Sequence, residues 1–169
     1  MITRLRRWTL GTRPGTSYVE FGLLCPLLIT TFGSVADFGL SIWARSRLSS
    51  AVSNGAQYAA LAGPGSLTAA HVQSAVSSAV TPLTGVTVTI TPSTGLGCYC
   101  TSGTPVSMTP ATPATPSGSP PSCSGATCAS GSVGMYVGIT ANYTYSPLMP
   151  FYSEFASTAL SETAIVRLQ

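Results

Sequence analysis

Side chains able to do chemistry are few in this chain of 169 residues. It carries seven arginines, no lysine, one histidine (His71) and four acids, Glu20, Asp37, Glu154 and Glu162. Charged residues make up 7% of it, against roughly a quarter in ordinary soluble proteins. The acids are scattered, and His71 sits on an expected helix without companions at metal-ligand spacing. No acid–base or nucleophilic constellation forms from such a set, so the chain reads as a non-enzyme with no cofactor. A nucleic-acid partner is also disfavoured, because neutralising phosphates needs a basic face. Ser130-Gly131-Ser132-Val133-Gly134 reads as a turn and not as a phosphate loop, since neither a helix nor a lysine follows it. Asn142-Tyr143-Thr144 matches a glycosylation sequon but falls in an expected strand.

The cysteines are the one clustered reactive group. Cys98 and Cys100 follow one expected strand, and Cys123 and Cys128 precede another; Cys25 lies apart in an apolar stretch and reads as a small buried hydrophobe. Neighbours in a Cys-x-Cys pair bridge each other poorly, so 98 and 100 are expected to pair across the loop with 123 and 128. The nested arrangement, Cys98 with Cys128 and Cys100 with Cys123, suits antiparallel strands; the crossed arrangement stays open. A zinc site of four thiolates is the rival reading, but its spacing departs from zinc ribbons and no metal is expected.

The elements that must position these groups divide by pattern. Four arginines (4, 6, 7, 13) stand within the first fifteen residues, which close on Pro14-Gly15, a break expected to lie outside any helix. The remainder sets three arginines against four acids, a net of −1. A basic start before an apolar stretch keeps the arginines cytoplasmic and exports the chain beyond that stretch. Residues 21–36 are an uncharged run of sixteen, about 24 Å of helix at ~1.5 Å per residue. Extended through Trp43, this run reads as a transmembrane helix over 16–43, long enough for a core of about 30 Å. An amphipathic continuation over 44–63 comes next, with Leu48, Ala51, Val52, Gly55, Ala56, Ala59 and Ala62 on one face. Gly63-Pro64-Gly65 stops it. Ser66 is then the expected N-cap of a short second helix carrying Val72, Val76, Ala79 and Val80 on one face, closed by Pro82.

Beyond residue 82 the period changes to two. Val86, Val88 and Ile90 alternate with threonines, and Val137, Ile139, Ala141, Tyr143 and Tyr145 share a face of a second strand. The Thr/Pro/Ser-rich stretch 101–121 between them is expected to be an exposed, mobile loop without ladder bonds. Residues 158–168 fit helix or strand equally. The fold class is therefore α+β: a long N-terminal transmembrane and amphipathic helix, a short helix, and a small antiparallel sheet of about three strands with a disulfide-bridged loop, the exported part being 66–169.

Gly15-Thr16-Ser17-Tyr18-Val19-Glu20-Phe21 resembles the processing site of type IV pilin-like proteins, and more specifically the TadE-like minor pilins, or pseudopilins, of tight-adherence (Flp) pili. The resemblance continues in Pro26-Leu27-Leu28, Asp37-Phe38-Gly39 and Gly55-Ala56-Gln57-Tyr58-Ala59-Ala60. It resumes more weakly in the cysteine-bearing hairpin, in Tyr143-Thr144-Tyr145-Ser146-Pro147-Leu148 and in Ala164-Ile165-Val166-Arg167, which by that likeness reads as a last strand. It implies a pilin-like fold and cleavage by a prepilin peptidase between Gly15 and Thr16, removing leader 1–15. It also implies an assembly role for Glu20 and Phe21, and other pilins and the inner-membrane assembly machinery as partners. Major Flp pilins carry Glu-Tyr here and are much shorter, so the likeness is to a minor subunit.

Physical chemistry makes its own demand of Glu20. A carboxylate in a membrane helix costs about 2.5–3.5 kcal/mol at the centre and less near the interface, so a compensating amine is expected, from Thr16 after cleavage or from a neighbouring subunit. An interfacial glutamate reaching the headgroups is the plainer alternative. Asp37 reads as a solvated residue at the helix exit, and Arg45 and Arg47 as solvated or facing lipid phosphates. The expected function is thus a membrane-anchored, non-catalytic minor pilin of the bacterial inner membrane, N-terminus cytoplasmic, in contact with the lipid bilayer. The competing function is a secreted or periplasmic disulfide-stabilised binding protein whose ordinary signal peptide is cleaved near Ala36.

Overall fold

The computed structural model describes residues 14–104 and 106–168, with side-chain surroundings from residue 18 onward. Helix α1 runs from Pro14 to Ser66, α2 from Ala69 to Ala79 and the single turn α3 from Tyr152 to Phe155. The strands are β1 (Thr87–Thr91), β2 (Gly97–Ser102), β3 (Ser107–Pro110), β4 (Ser132–Thr144) and β5 (Ala159–Arg167). The architecture is α+β, with five strands where the sequence suggested about three.

Pro14-Gly15 opens α1 instead of preceding it, because proline's fixed φ and missing N–H suit the first helical turn. Residues 1–13 of the expected leader lie outside the described residues. At its other end α1 kinks where expected: Gly63 adopts φ 65, ψ 176 inside the assigned span, a conformation that glycine reaches without the Cβ penalty. The cap of α2 differs from expectation. Thr68, not Ser66, accepts the His71 amide, while the Ser66 hydroxyl donates back to the Ala62 carbonyl. His71 itself is exposed.

Strand β4 organises the sheet. Along one edge it pairs antiparallel with β5, from Tyr136↔Arg167 to Thr144↔Ala159, so the tail is a strand, as the family likeness implied. Along the other edge it pairs first with β1 and then with β2. Thr91 faces Gly138 and Gly97 faces Tyr136, so the stretch 92–96 bulges out opposite Val137 alone. The sequence showed β1 and β4 but concealed β2.

The stretch 101–121 is mostly exposed, as expected, but part of it is built into the sheet. β3 pairs with β2 as a hairpin, Ser102↔Ser107 to Tyr99↔Pro110, with proline only at its edge-strand terminus. Ala111 is buried, and isolated bridges join Thr112 to Thr127 and Ser117 to Ser122. The threonine and serine backbone supplied ladder bonds that the proline count had obscured.

The core lies between α1, α2 and the sheet. Leu48, Ala51, Val52 and Ala59 of α1 meet Val72, Val76 and Val80, and pack on Val137, Ile139 and Ala141 of β4. Gly55 sits at the closest point: a Cβ there would run into Val76 Cγ2. The small residues of the stripe therefore set the distance between the two helices.

Candidate functional site

The N-terminal half of α1 stands apart from this core. From Tyr18 to Trp43 nearly every large apolar side chain is exposed, including Phe21, Leu24, Leu28, Phe32 and Val35. The helix from Tyr18 onward is long and apolar enough to cross a membrane. Pro26 is accommodated without a break in the helix. Gly15 and Thr16 lie in its first turn. Glu20 and Phe21 are exposed, and Glu20 has no described intramolecular partner, which leaves its carboxylate open to an amine from outside the fold.

The buried stripe of α1 begins lower than sequence reasoning placed it. Asp37 and Ser41 precede Ala44, Leu48, Ala51 and Val52 on the same face, and Asp37 is 0% exposed. The reading of Asp37 as a solvated exit residue is overturned. After β4 the chain turns back along α1 and delivers three donors to this carboxylate. The Tyr145 hydroxyl donates to Oδ1 at 2.9 Å, the Leu148 amide to Oδ1 at 2.8 Å, and the Met149 amide to Oδ2 at 2.8 Å. A charged acceptor with three short donors is the condition under which a buried carboxylate is tolerated.

Beside this clasp the Tyr152 hydroxyl donates to Ser41 Oγ at 2.8 Å, and Ser41 in turn donates to the Phe38 carbonyl. Tyr152 packs edge-on against both Phe38 and Tyr145, with centroids 5.6 and 5.7 Å apart. Met149 lies so close to Gly33 that any Cβ there would displace it. Burial, donation to Asp37 and the nearby negative charge push the Tyr145 hydroxyl up to about 12. The signal in the sequence for this site was the cost of an acid among apolar residues, which demands a partner. The partner stands 108 residues away, beyond the reach of any local pattern.

Higher on α1, Arg45 Nε donates to Glu162 of β5 at 2.7 Å while its side chain stays 69% exposed. The expectation of a purely solvated or lipid-facing Arg45 is corrected to an exposed ion pair, a contact that contributes under about 1 kcal/mol. Arg47 lies over the Trp43 ring, 5.6 Å from its centroid.

The cysteines form two bridges across the loop, as spacing required, but crossed and not nested: Cys98–Cys123 and Cys100–Cys128. The nested preference assumed that 123–128 runs as the strand paired with β2. Instead β3 and β4 take the two edges of β2. Cys128 lies just before β4, which starts opposite Thr101, so it meets the nearer Cys100, and Cys123 reaches Cys98. The bridges, not a zinc ion, use these thiols. Gly131 allows the entry to β4, since a Cβ would strike the Thr101 carbonyl. Cys25 is the free cysteine of the described chain, half-buried.

One exposed apolar helix carrying a small disulfide-bridged sheet defines a helix-tethered α+β protein. Residues 15–57 match the model of the TadE-like protein family, the family that the glycine, Glu-Phe and small-residue motifs resemble. The match spans the exposed half of α1 and most of its buried stripe. Neither the curated proteins nor the solved structures contain a significant match to the chain.

Proposed function

We propose that this chain is a membrane-anchored minor pilin, or pseudopilin, that takes part in assembling a tight-adherence pilus and catalyses no reaction. The observation that carries the reading is the division of α1. Its TadE-like start leaves Glu20, Phe21 and the apolar residues after them exposed, while the head grips the helix only from Gly33 upward. Such a surface suits a bilayer before assembly and neighbouring pilin helices afterwards. In this reading a prepilin peptidase cuts between Gly15 and Thr16, residues 16–43 span the inner membrane, and 66–169 form the exported head. Glu20 then registers the subunit through an amine of an adjacent chain, because an unpaired carboxylate in a low-dielectric setting is costly.

The rival, a secreted protein cut near Ala36, would remove the Gly33 contact of Met149 and make the clasp residue Asp37 the chain terminus. N-terminal sequencing of the mature protein from cells with an active prepilin peptidase decides between them. Thr16 as first residue supports the pilin reading; Asp37 as first residue, or an intact leader, overturns it.

A further inference from the structure

The return segment 148–155 exposes large apolar side chains in a place where water is not expected. Leu148, Phe151 and Phe155 are 70%, 68% and 83% exposed, yet their segment packs on α1 between Gly33 and Ser41. Counted from Glu20, a hydrocarbon core of about 30 Å ends near Leu40 at ~1.5 Å per residue. Gly33, against which Met149 lies, is then about 10 Å inside that boundary. Trp43, Arg45 and Arg47 come just beyond it, the residue types that settle at headgroup level.

Two further features fit the same depth. A cavity of about 390 Å³ opens between α1 and this segment, bordered by Thr30, Ser34, Phe38, Phe151 and Phe155 among others. Its three hydroxyl-bearing residues, Thr30, Ser34 and Tyr152, spend their protons elsewhere, Tyr152 on Ser41 Oγ. Thr30 donates to the carbonyls of Pro26 and Leu27, and Ser34 to that of Thr30. Non-helical backbone at membrane depth also requires its polar groups to be satisfied by protein. Asp37 does this for the amides of Leu148 and Met149, and Pro150 between them and α3 has no N–H to satisfy.

We propose that segment 148–155 is an interfacial membrane element, inserting Phe151 and Phe155 among the acyl chains of the outer leaflet beside α1, with a lipid chain in the groove between them. The apolar surface of α1 and that of the segment form one continuous face, so the occupant is the lipid that already surrounds the helix. Glu154, exposed in α3, is the segment's one charged residue and keeps it within the outer leaflet, its carboxylate directed toward the headgroups. The proposal rests on the reading of α1 as a membrane span.

Bromine-quenching of single tryptophans in the full chain tests it. Trp8→Phe and Trp43→Phe clear the background, and Phe155→Trp, Phe32→Trp or Val106→Trp is then introduced singly. Each protein is reconstituted into vesicles of phosphatidylethanolamine and phosphatidylglycerol with brominated acyl chains. Val106 adjoins the β2–β3 hairpin, at the end of β4 opposite the clasp, and serves as the water-side control. The expected result is quenching of Phe155→Trp to at least roughly half the extent of Phe32→Trp, with Val106→Trp unquenched. Quenching of Phe32→Trp while Phe155→Trp behaves as Val106→Trp overturns the proposal and assigns the segment to water or to a protein partner. Failure of Phe32→Trp to quench overturns the spanning reading beneath it.

Discussion

Replacing Asp37 tests the clasp most directly, because the three hydrogen bonds it accepts can be removed in graded steps. Hydrogen bonds to a charged group contribute about 1.5–3 kcal/mol each. Asp37→Asn keeps one acceptor oxygen. Its amide does best with that oxygen at the Oδ1 position, retaining Tyr145 and Leu148 and turning an NH₂ toward the Met149 amide. One buried N–H is left facing a donor, at a cost of about 1–3 kcal/mol. Asp37→Ala removes both acceptor oxygens and with them all three hydrogen bonds. The simple sum overstates the loss, since the segment can detach and let water take the amides, so about 3–5 kcal/mol is expected. Tyr145→Phe deletes one donor and costs about 1–2 kcal/mol.

The core around Leu48, Val76 and Ile139 does not include the segment, so the loss is local to the clasp. Hydrogen exchange of the full chain in micelles reads it at the Leu148 and Met149 amides. Weakening by about 3 kcal/mol corresponds to roughly 150-fold faster exchange. The expected order of exchange rates is parent, Tyr145→Phe, Asp37→Asn, Asp37→Ala, with the amides of β4 unchanged. Equal protection of Leu148 and Met149 in parent and Asp37→Ala would refute the reasoning.

Four other outcomes are expected. The Tyr145 proton is held in the fold to about 12 but released near the ordinary 10.0 when the segment detaches, so this group's contribution is complete below pH 10 and fades as pH rises toward 12. A tyrosinate titration should show one late phenol that Tyr145→Phe removes, and a difference centred near 10 would contradict this. Gly55→Ala gains about 1 kcal/mol of helix propensity but forces its Cβ into Val76, so a net loss of about 1–2 kcal/mol is expected in urea unfolding; in a Val76→Ala background the same change should stabilise. Non-reducing peptide mapping should join Cys98 to Cys123 and Cys100 to Cys128, each bridge contributing about 2–4 kcal/mol, and a 98–128 peptide would contradict the crossed arrangement. Glu20→Gln should leave membrane insertion intact while lowering recovery with sheared filaments, and unchanged co-assembly would reduce Glu20 to an interfacial residue.

Periodicity revealed the parts of the fold whose contacts repeat. Leu48, Ala51, Val52, Gly55 and Ala59 recur every three or four residues because one helix face meets one core, and Val88 with Ile90 alternate because one side of β1 is covered. β2 escaped the same test: Gly97, Cys98, Tyr99 and Cys100 are all buried, with a disulfide-bonded loop covering what would be the polar face. β3 was hidden by the prolines around it, although an edge strand of four residues needs few free amides. Asp37 was misread because a local pattern registers an acid's charge but not a donor more than a hundred residues away. Glu20 was singled out by its motif and by the cost of an acid in an apolar helix, and the fold leaves it exposed.

The two grips on α1 have a mechanical consequence. A head fastened only through the stripe from Ala44 to Ala59 could rock about the point where the helix leaves the core. The clasp at Asp37 and Ser41 adds a second fixing that reaches, at Asp37, about two turns below Ala44. A rod held at two separated points cannot pivot, so the tilt and azimuth of the head follow those of the helix as one rigid lever. Any torque or pull applied to the exposed N-terminal shaft therefore reaches the sheet undiminished, with the hydrogen bonds to Asp37 loaded in shear before the apolar core.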